Sequence, residues 1–147
     1  MVEDAPAAPL VVRPAVDADV AALLSFWQTV GENAGRPADT PEVVARLMEH
    51  DPEAVLVGEA GGELAATLVV GWDGWRANLY RLAVDPRHRG RGFARLLLEH
   101  AERRLAGLGV DRACAMVLDD NAAGTAFWRA AGYAPQGDWS RWVKPLR

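Results

Sequence analysis

The stretch Arg87-His88-Arg89-Gly90-Arg91-Gly92 stands between an apolar run, Leu79 to Val84, and a helical pattern that begins at Phe93. That order reads as strand, tight turn, helix. Gly90 and Gly92 have no Cβ, so the backbone there can curl and direct successive N–H groups into one small concavity. The positive end of the following helix dipole lies behind those donors, which makes the turn an anion site. Two common anion loops do not fit. A P-loop ends in Gly-Lys-Ser/Thr, whereas Phe93-Ala94 follows Gly92 here. A dinucleotide fingerprint needs Gly or Ala at its sixth position after the first strand, whereas Arg95 stands there and the turn comes late in the chain.

The string R-x-x-G-x-G after a strand resembles the acetyl-CoA signature of the GNAT superfamily of N-acetyltransferases, and its flanks carry the same resemblance. Leu82-Ala83-Val84-Asp85-Pro86 is similar to the strand and exit turn before that signature. Asn121 to Tyr133 (NAAGTAFWRAAGY) resembles the family's second cofactor motif, in which an Asn opens a helix, an aromatic pair follows, and Gly plus an aromatic closes it. The close resemblance covers Leu79 to Tyr133 and the rest of the chain by order of elements. It implies an α/β domain of the GNAT fold, with a central mixed, mostly antiparallel twisted sheet of six to seven strands flanked by about four helices. It also implies acetyl-CoA as cofactor. Arg87, Arg89, Gly90, Arg91, Gly92, Phe93 and Ala94 would surround the phosphates. Backbone groups of Leu82, Ala83 and Val84 would pair with the pantetheine arm where two strands splay apart, with Asn121, Phe127 and Trp128 on the arm's other side.

Composition is consistent with one globular domain. At 147 residues the chain can bury about 70% of the surface its unfolded form exposes. Residues 1–8 are acidic and Ala/Pro-rich, without the basic start and apolar middle of a signal peptide, and read as a disordered tail before a domain over residues 9–147. No apolar run is long enough to span a bilayer. The single cysteine, Cys114, excludes an internal disulfide and suits a reducing cytoplasm. It sits in an apolar run as an expected buried thiol. A net charge of −4 argues against a nucleic-acid partner. The cluster Arg81, Arg87, Arg89, Arg91 and Arg95 instead suits a compact phosphorylated ligand.

Local signals place the other elements. Leu10 to Pro14 reads as a strand, and Asp17 as N-cap of a helix reaching Val30. Thr40-Pro41-Glu42 combines a capping hydroxyl, Pro in the first turn and an acid beside the dipole, opening a helix to His50. Ala54 to Ala60 and Glu63 to Gly71 form a hairpin at Gly61-Gly62. Phe93, Leu96, Leu97, Ala101, Leu105 and Leu108 make the apolar stripe of a long helix. Ala113 to Leu118 reads as a buried strand, Asn121 to Ala131 as a helix, and Tyr133 to Val143 as a final hairpin turning at Gln136-Gly137-Asp138.

The resemblance implies that an amine attacks the acetyl-CoA thioester directly, with a donor on the Leu82 to Val84 strand stabilising the oxyanion. An alkyl amine of pKa near 10.4 is about one part in a thousand neutral at pH 7, so proton handling matters. The tyrosine acid usual in the family is replaced by Trp128, whose indole N–H can hydrogen-bond a sulfur but not protonate it. Of the two tyrosines Tyr80 is the better substitute, with a core or substrate-wall role as its alternative, Tyr133 being assigned to packing. Asp73 is the leading base or amine-binding anion, with a turn-forming Asp-Gly as the alternative and Glu32 as a weaker base. Ordinary packing is the default for any one tryptophan, but Trp27, Trp72 and Trp75 with Asp73 together suggest an aromatic acceptor pocket. The histidines lack metal-ligand spacing, so no metal is expected. The acceptor is a small-molecule or peptide amine, and the chain a monomer or homodimer. A silent coenzyme A sensor or a protein-interaction module is the alternative.

Overall fold

The computed structural model describes residues 8–31, 33 and 35–147. These form two compact units, one through Met116 and one from Val117 to Arg147. The larger unit is built on a five-stranded sheet in the order β1-β2-β3-β4-β5, comprising Leu10–Pro14, Val55–Ala60, Glu63–Trp72, Ala77–Val84 and Ala113–Ala115. The first three pairings are antiparallel and β4–β5 is parallel, as a mixed, mostly antiparallel sheet requires. The hairpin between β2 and β3 turns at Gly61 and Gly62, whose φ values of +60° and +79° are open to glycine.

Helices cover both faces of this sheet. On one face α1 (Val20–Val30) and α2 (Pro41–His50) bring Leu23, Phe26, Trp27, Val44 and Met48 onto Val55, Val57 and Val69. Side chains of the opposite parity, Leu56, Leu68 and Val70, are also buried. There α3 (Phe93–Gly107) packs on β1 to β4 and buries Phe93, Leu97, Leu98, Ala101 and Leu105. Each fully buried Leu or Val contributes about 1.5–3 kcal/mol.

Thr40 caps α2 as its sequence implies, accepting from Val43 N at 3.2 Å. Other expectations are corrected. Asp17 makes no cap. It opens a single 3-10 turn, and Asp19 accepts from Val16 N at 2.7 Å instead. On α3, Leu96 is exposed while Leu98 is buried, because packing rather than spacing fixes the helix's rotation, and Leu108, just past the helix end, is also exposed. Among the described residues the sheet has five strands, not six to seven. The segment read as Ala113 to Leu118 shortens to a half-buried Ala113–Ala115, and Cys114 is likewise only half-buried.

The smaller unit contains α4 (Ala122–Ala130). Asn121 caps it by accepting from Gly124 N at 2.9 Å. The helix stops at Gly132 (φ +95°), and Trp128 packs edge-on against Phe127 and Tyr133, at 5.5 and 4.8 Å between centroids. The hairpin expected over Tyr133 to Val143 is absent: Trp139 N reaches Gln136 O at 3.3 Å, but no strand forms, and Trp142 is 93% exposed. Aromatic alternation alone supplies no partner strand. Residues 1–7, where a disordered tail is expected, and Glu32 lie outside the described residues.

Candidate active site

One strand, β4, organises the site. At its C-terminal end Asp85 accepts from Arg87 N at 2.9 Å and closes a short 3-10 turn, Pro86–His88. The Arg87 guanidinium, then its backbone N–H, holds the Asp85 carboxylate below the usual range. The chain then enters α3 through Gly90 and Gly92, both at φ +77°. No side chain caps α3, so the N–H groups of its first turn point out of the helix end. A Cβ at Gly90 or Gly92 would meet nothing within 4 Å, so the space beside the turn is open.

The arginines of the turn differ in engagement. Arg87 pairs with Asp85 (3.1 Å) and Glu63 (3.5 Å), exposed contacts that exchange readily with solvent. Arg89 Nε donates to Val84 O at 3.3 Å, and Arg91 Nη1 lies 3.1 Å from His88 Nδ1. The Phe93 ring is buried beneath the turn, so a part for Phe93 in anion binding falls to its backbone N–H.

Further back, β4 is irregular on one edge and bare on the other. Its register against β3 steps from Thr67↔Ala83 to Val69↔Tyr80, so Arg81 and Leu82 together oppose Leu68. This is a β-bulge, and Arg81 adopts φ +54° within it. On the other edge β5 pairs only with Ala77, Asn78 and Leu79. From Tyr80 to Val84 that edge has no strand partner among the described residues.

Beyond the bulge, Asn78 and Tyr80 face the same side of the sheet as Val69, the side that carries α2. There a cavity of about 250 Å³ is lined by residues that include His50, Asp51, Trp72, Asp73, Arg76 and Tyr80. Asp51 is held from α3 by Arg104, whose Nη2 lies 2.9 Å from both carboxylate oxygens. Asp73 Oδ1 accepts from Arg76 N at 2.7 Å and Trp75 N at 2.8 Å. Those two donors, Arg76 first, hold the Asp73 carboxylate below its ordinary value. It is therefore an anion at neutral pH, and a poorer base than an unperturbed carboxylate.

Residues 20–133, the turn and bulge among them, match the Acetyltransferase (GNAT) family. The chain belongs to this family. The GNAT sequence is 37% identical over 102 residues to an acetyltransferase of Yersinia pestis (strain Pestoides F), an overlap covering 69% of this chain and 72% of that one. The GNAT fold matches Ard1 from Thermoplasma volcanium with a TM-score of 0.73 at 19% identity, over 85% and 82% of the two chains. A Salmonella typhimurium protein whose structure includes its cofactor acetyl-CoA matches with a TM-score of 0.70 at 21% identity, over 84% and 79%. GNAT enzymes use acetyl-CoA.

Trp72, Asp73 and Tyr80 line one cavity. The structure removes two aromatic residues from the expected pocket. Trp27 is 3% exposed and donates through Nε1 to Thr67 Oγ1 at 3.0 Å, so it belongs to the core and not to an acceptor wall. Trp75 is 72% exposed and carries the Arg76 guanidinium 3.8 Å from its ring centroid, away from the cavity lining. Arg81 also leaves the arginine cluster: its guanidinium meets Asp39 and Asn33. Asn121, Phe127 and Trp128 belong to the smaller unit, where the Asn121 side-chain oxygen serves as a helix cap. Sequence reasoning missed Asn78 and His50. Alternation along β4 puts Asn78 on the Tyr80 face, a signal that was available, whereas nothing local brings His50 there.

Proposed function

We propose that this chain transfers the acetyl group of acetyl-CoA to an amine held in the cavity at the β3–β4 turn, by direct attack in a ternary complex. The carrying observation is collinearity on β4: anion turn, bare edge, bulge and cavity follow one another along a single strand. Bound acetyl-CoA supplies an activated thioester carbonyl. N–H groups of Gly90 to Ala94 bind its phosphates with help from Arg89 and Arg91. The bare edge at Leu82, Ala83 and Val84 would hold the pantetheine amides, and a backbone donor on that same stretch would stabilise the charge that develops on the carbonyl oxygen.

Asp73 acts as the anion that binds the incoming ammonium, since its lowered pKa suits charge pairing better than proton abstraction. As the N–C bond forms and the thioester C–S bond breaks, the amine's proton would pass to His50 and the departing coenzyme A thiolate would take one from Tyr80, both of which line the cavity. Replacing Tyr80 by Phe is expected to lower kcat about a hundredfold with acetyl-CoA affinity intact.

The assignment is tested by following thiol release from acetyl-CoA across small amines, polyamines, aminoglycosides and peptides, with wild type and Gly92→Glu in parallel. Turnover with one acceptor class, lost in the variant, supports the reading and names the acceptor. Tight cofactor binding with no turnover of any amine would instead mark a coenzyme A sensor.

A further inference from the structure

Among the described residues, Arg81 is the one non-glycine residue at positive φ, and Thr67 the one buried polar residue. The two are joined: Thr67 Oγ1 donates to Arg81 O at 2.8 Å and accepts from Trp27 Nε1 at 3.0 Å. This chain of hydrogen bonds ties the bulge peptide to α1 through the core. The Arg81 side chain makes a second tie. Its Nε donates to Asp39 Oδ2 at 3.1 Å, Nη2 pairs with the same oxygen, and Nη1 donates to Asn33 Oδ1 at 2.9 Å. Asn33 in turn donates through Nδ2 to the carbonyls of Trp27, Gln28 and Gly31, at 3.0, 3.3 and 3.2 Å, across the end of α1. The guanidinium lies 5.5 Å from the Trp27 ring centroid, and its side chain is 10% exposed. Gly31 leaves room for it: a Cβ there would fall 2.9 Å from Nη1.

A glycine would hold φ +54° with less strain than an arginine. An arginine placed there is accounted for by what its planar fork grips. We infer that Arg81 is a positioning residue for acetyl transfer: it fastens the α1–α2 connection to the bulge, so cofactor at the bulge and order in that connection form one coupled equilibrium. The inference rests on β4 being the cofactor strand. Side chain and backbone of one residue then link the α1–α2 connection to the strand that would face the thioester.

Arg81→Gly separates the two contributions, because it keeps the backbone conformation accessible and removes only the grip. Amide exchange of residues 35–40 is followed by mass spectrometry with and without saturating acetyl-CoA, alongside calorimetric titration of the cofactor. In wild type, acetyl-CoA is expected to slow this exchange about tenfold. In Arg81→Gly the cofactor still binds, within about threefold of wild-type affinity, but exchange at 35–40 no longer responds to it. Arg81→Lys behaves like Arg81→Gly, since an ammonium cannot reproduce the fork. Asp39→Asn leaves the strand untouched and weakens the response from the loop side, so it carries the test if the strand variants do not fold. Retention of the cofactor response in Arg81→Gly, or its absence in wild type that binds acetyl-CoA, overturns the inference alone. Failure of wild type to bind acetyl-CoA overturns the reading of β4 and this inference with it.

Discussion

Gly90 and Gly92 owe their place to backbone conformation and not to crowding. At φ +77° with open space where a Cβ would stand, alanine at either position is expected to cost about 1–2 kcal/mol of folding stability, measured by urea unfolding. Glutamate would add a carboxylate at the anion concavity, and Gly92→Glu is expected to abolish acetyl-CoA binding by calorimetry. Asp73 supports a separate prediction. Asn at this position keeps the turn-closing oxygen and removes the charge, so KM for a cationic amine should rise about tenfold with kcat little changed. Because the Asp73 pKa is lowered from 3.8, the group stays ionised at neutral and alkaline pH. Wild type and Asp73→Asn should therefore share the same kcat/KM profile shape from about pH 6 to 9. The glycine turn is legible in sequence because spacing and backbone freedom are local. The burial of Trp27 is not legible, since its indole is fixed by Thr67, forty residues away in the chain.

At the scale of elements, the N-terminus of α2 and the bulge of β4 show two degrees of legibility. Thr40 caps its helix with a hydroxyl three residues from the N–H it accepts, and Thr40→Ala should cost about 1 kcal/mol. The bulge is an offset between β3 and β4, so no property of either strand alone reveals it. Thr67→Val would leave the Trp27 indole N–H and the Arg81 carbonyl without this partner in the core, a loss of about 1–3 kcal/mol. An unchanged urea m-value would show that the native fold is retained. The leucines of α3 follow the same logic. Leu96, Leu97 and Leu98 are consecutive, and which of them face the sheet depends on a rotation set by packing against β1 to β4.

Across the larger unit, ion pairs join elements that are distant in sequence. Arg104 of α3 grips Asp51 between α2 and β2, with both side chains largely buried, so Arg104→Ala should destabilise by about 3 kcal/mol in thermal or urea unfolding. Arg13 of β1 holds Asp19 at 2.7 and 2.9 Å, and with the Val16 N–H keeps the Asp19 carboxylate below its ordinary 3.8. A carboxylate whose folded pKa is depressed stabilises the fold above its unfolded value, and that contribution is lost as pH falls through the folded one. Thermal midpoints should therefore drop as pH falls below about 4, and Asp19→Asn should flatten that slope. Sequence by itself determined the α/β order, the β2–β3 hairpin, the capped α2, and the succession of strand, glycine turn and helix from β4 to α3. Each of these depends on residues close in the chain, through backbone freedom, capping or periodicity. Tertiary structure alone decided the strand order of the sheet, the bulge at Arg81, the withdrawal of Trp27 and Arg81 from the expected sites, and the presence of His50 and Tyr80 in one cavity lining. These depend on which distant segments share burial and hydrogen bonds, and no local pattern encodes that pairing.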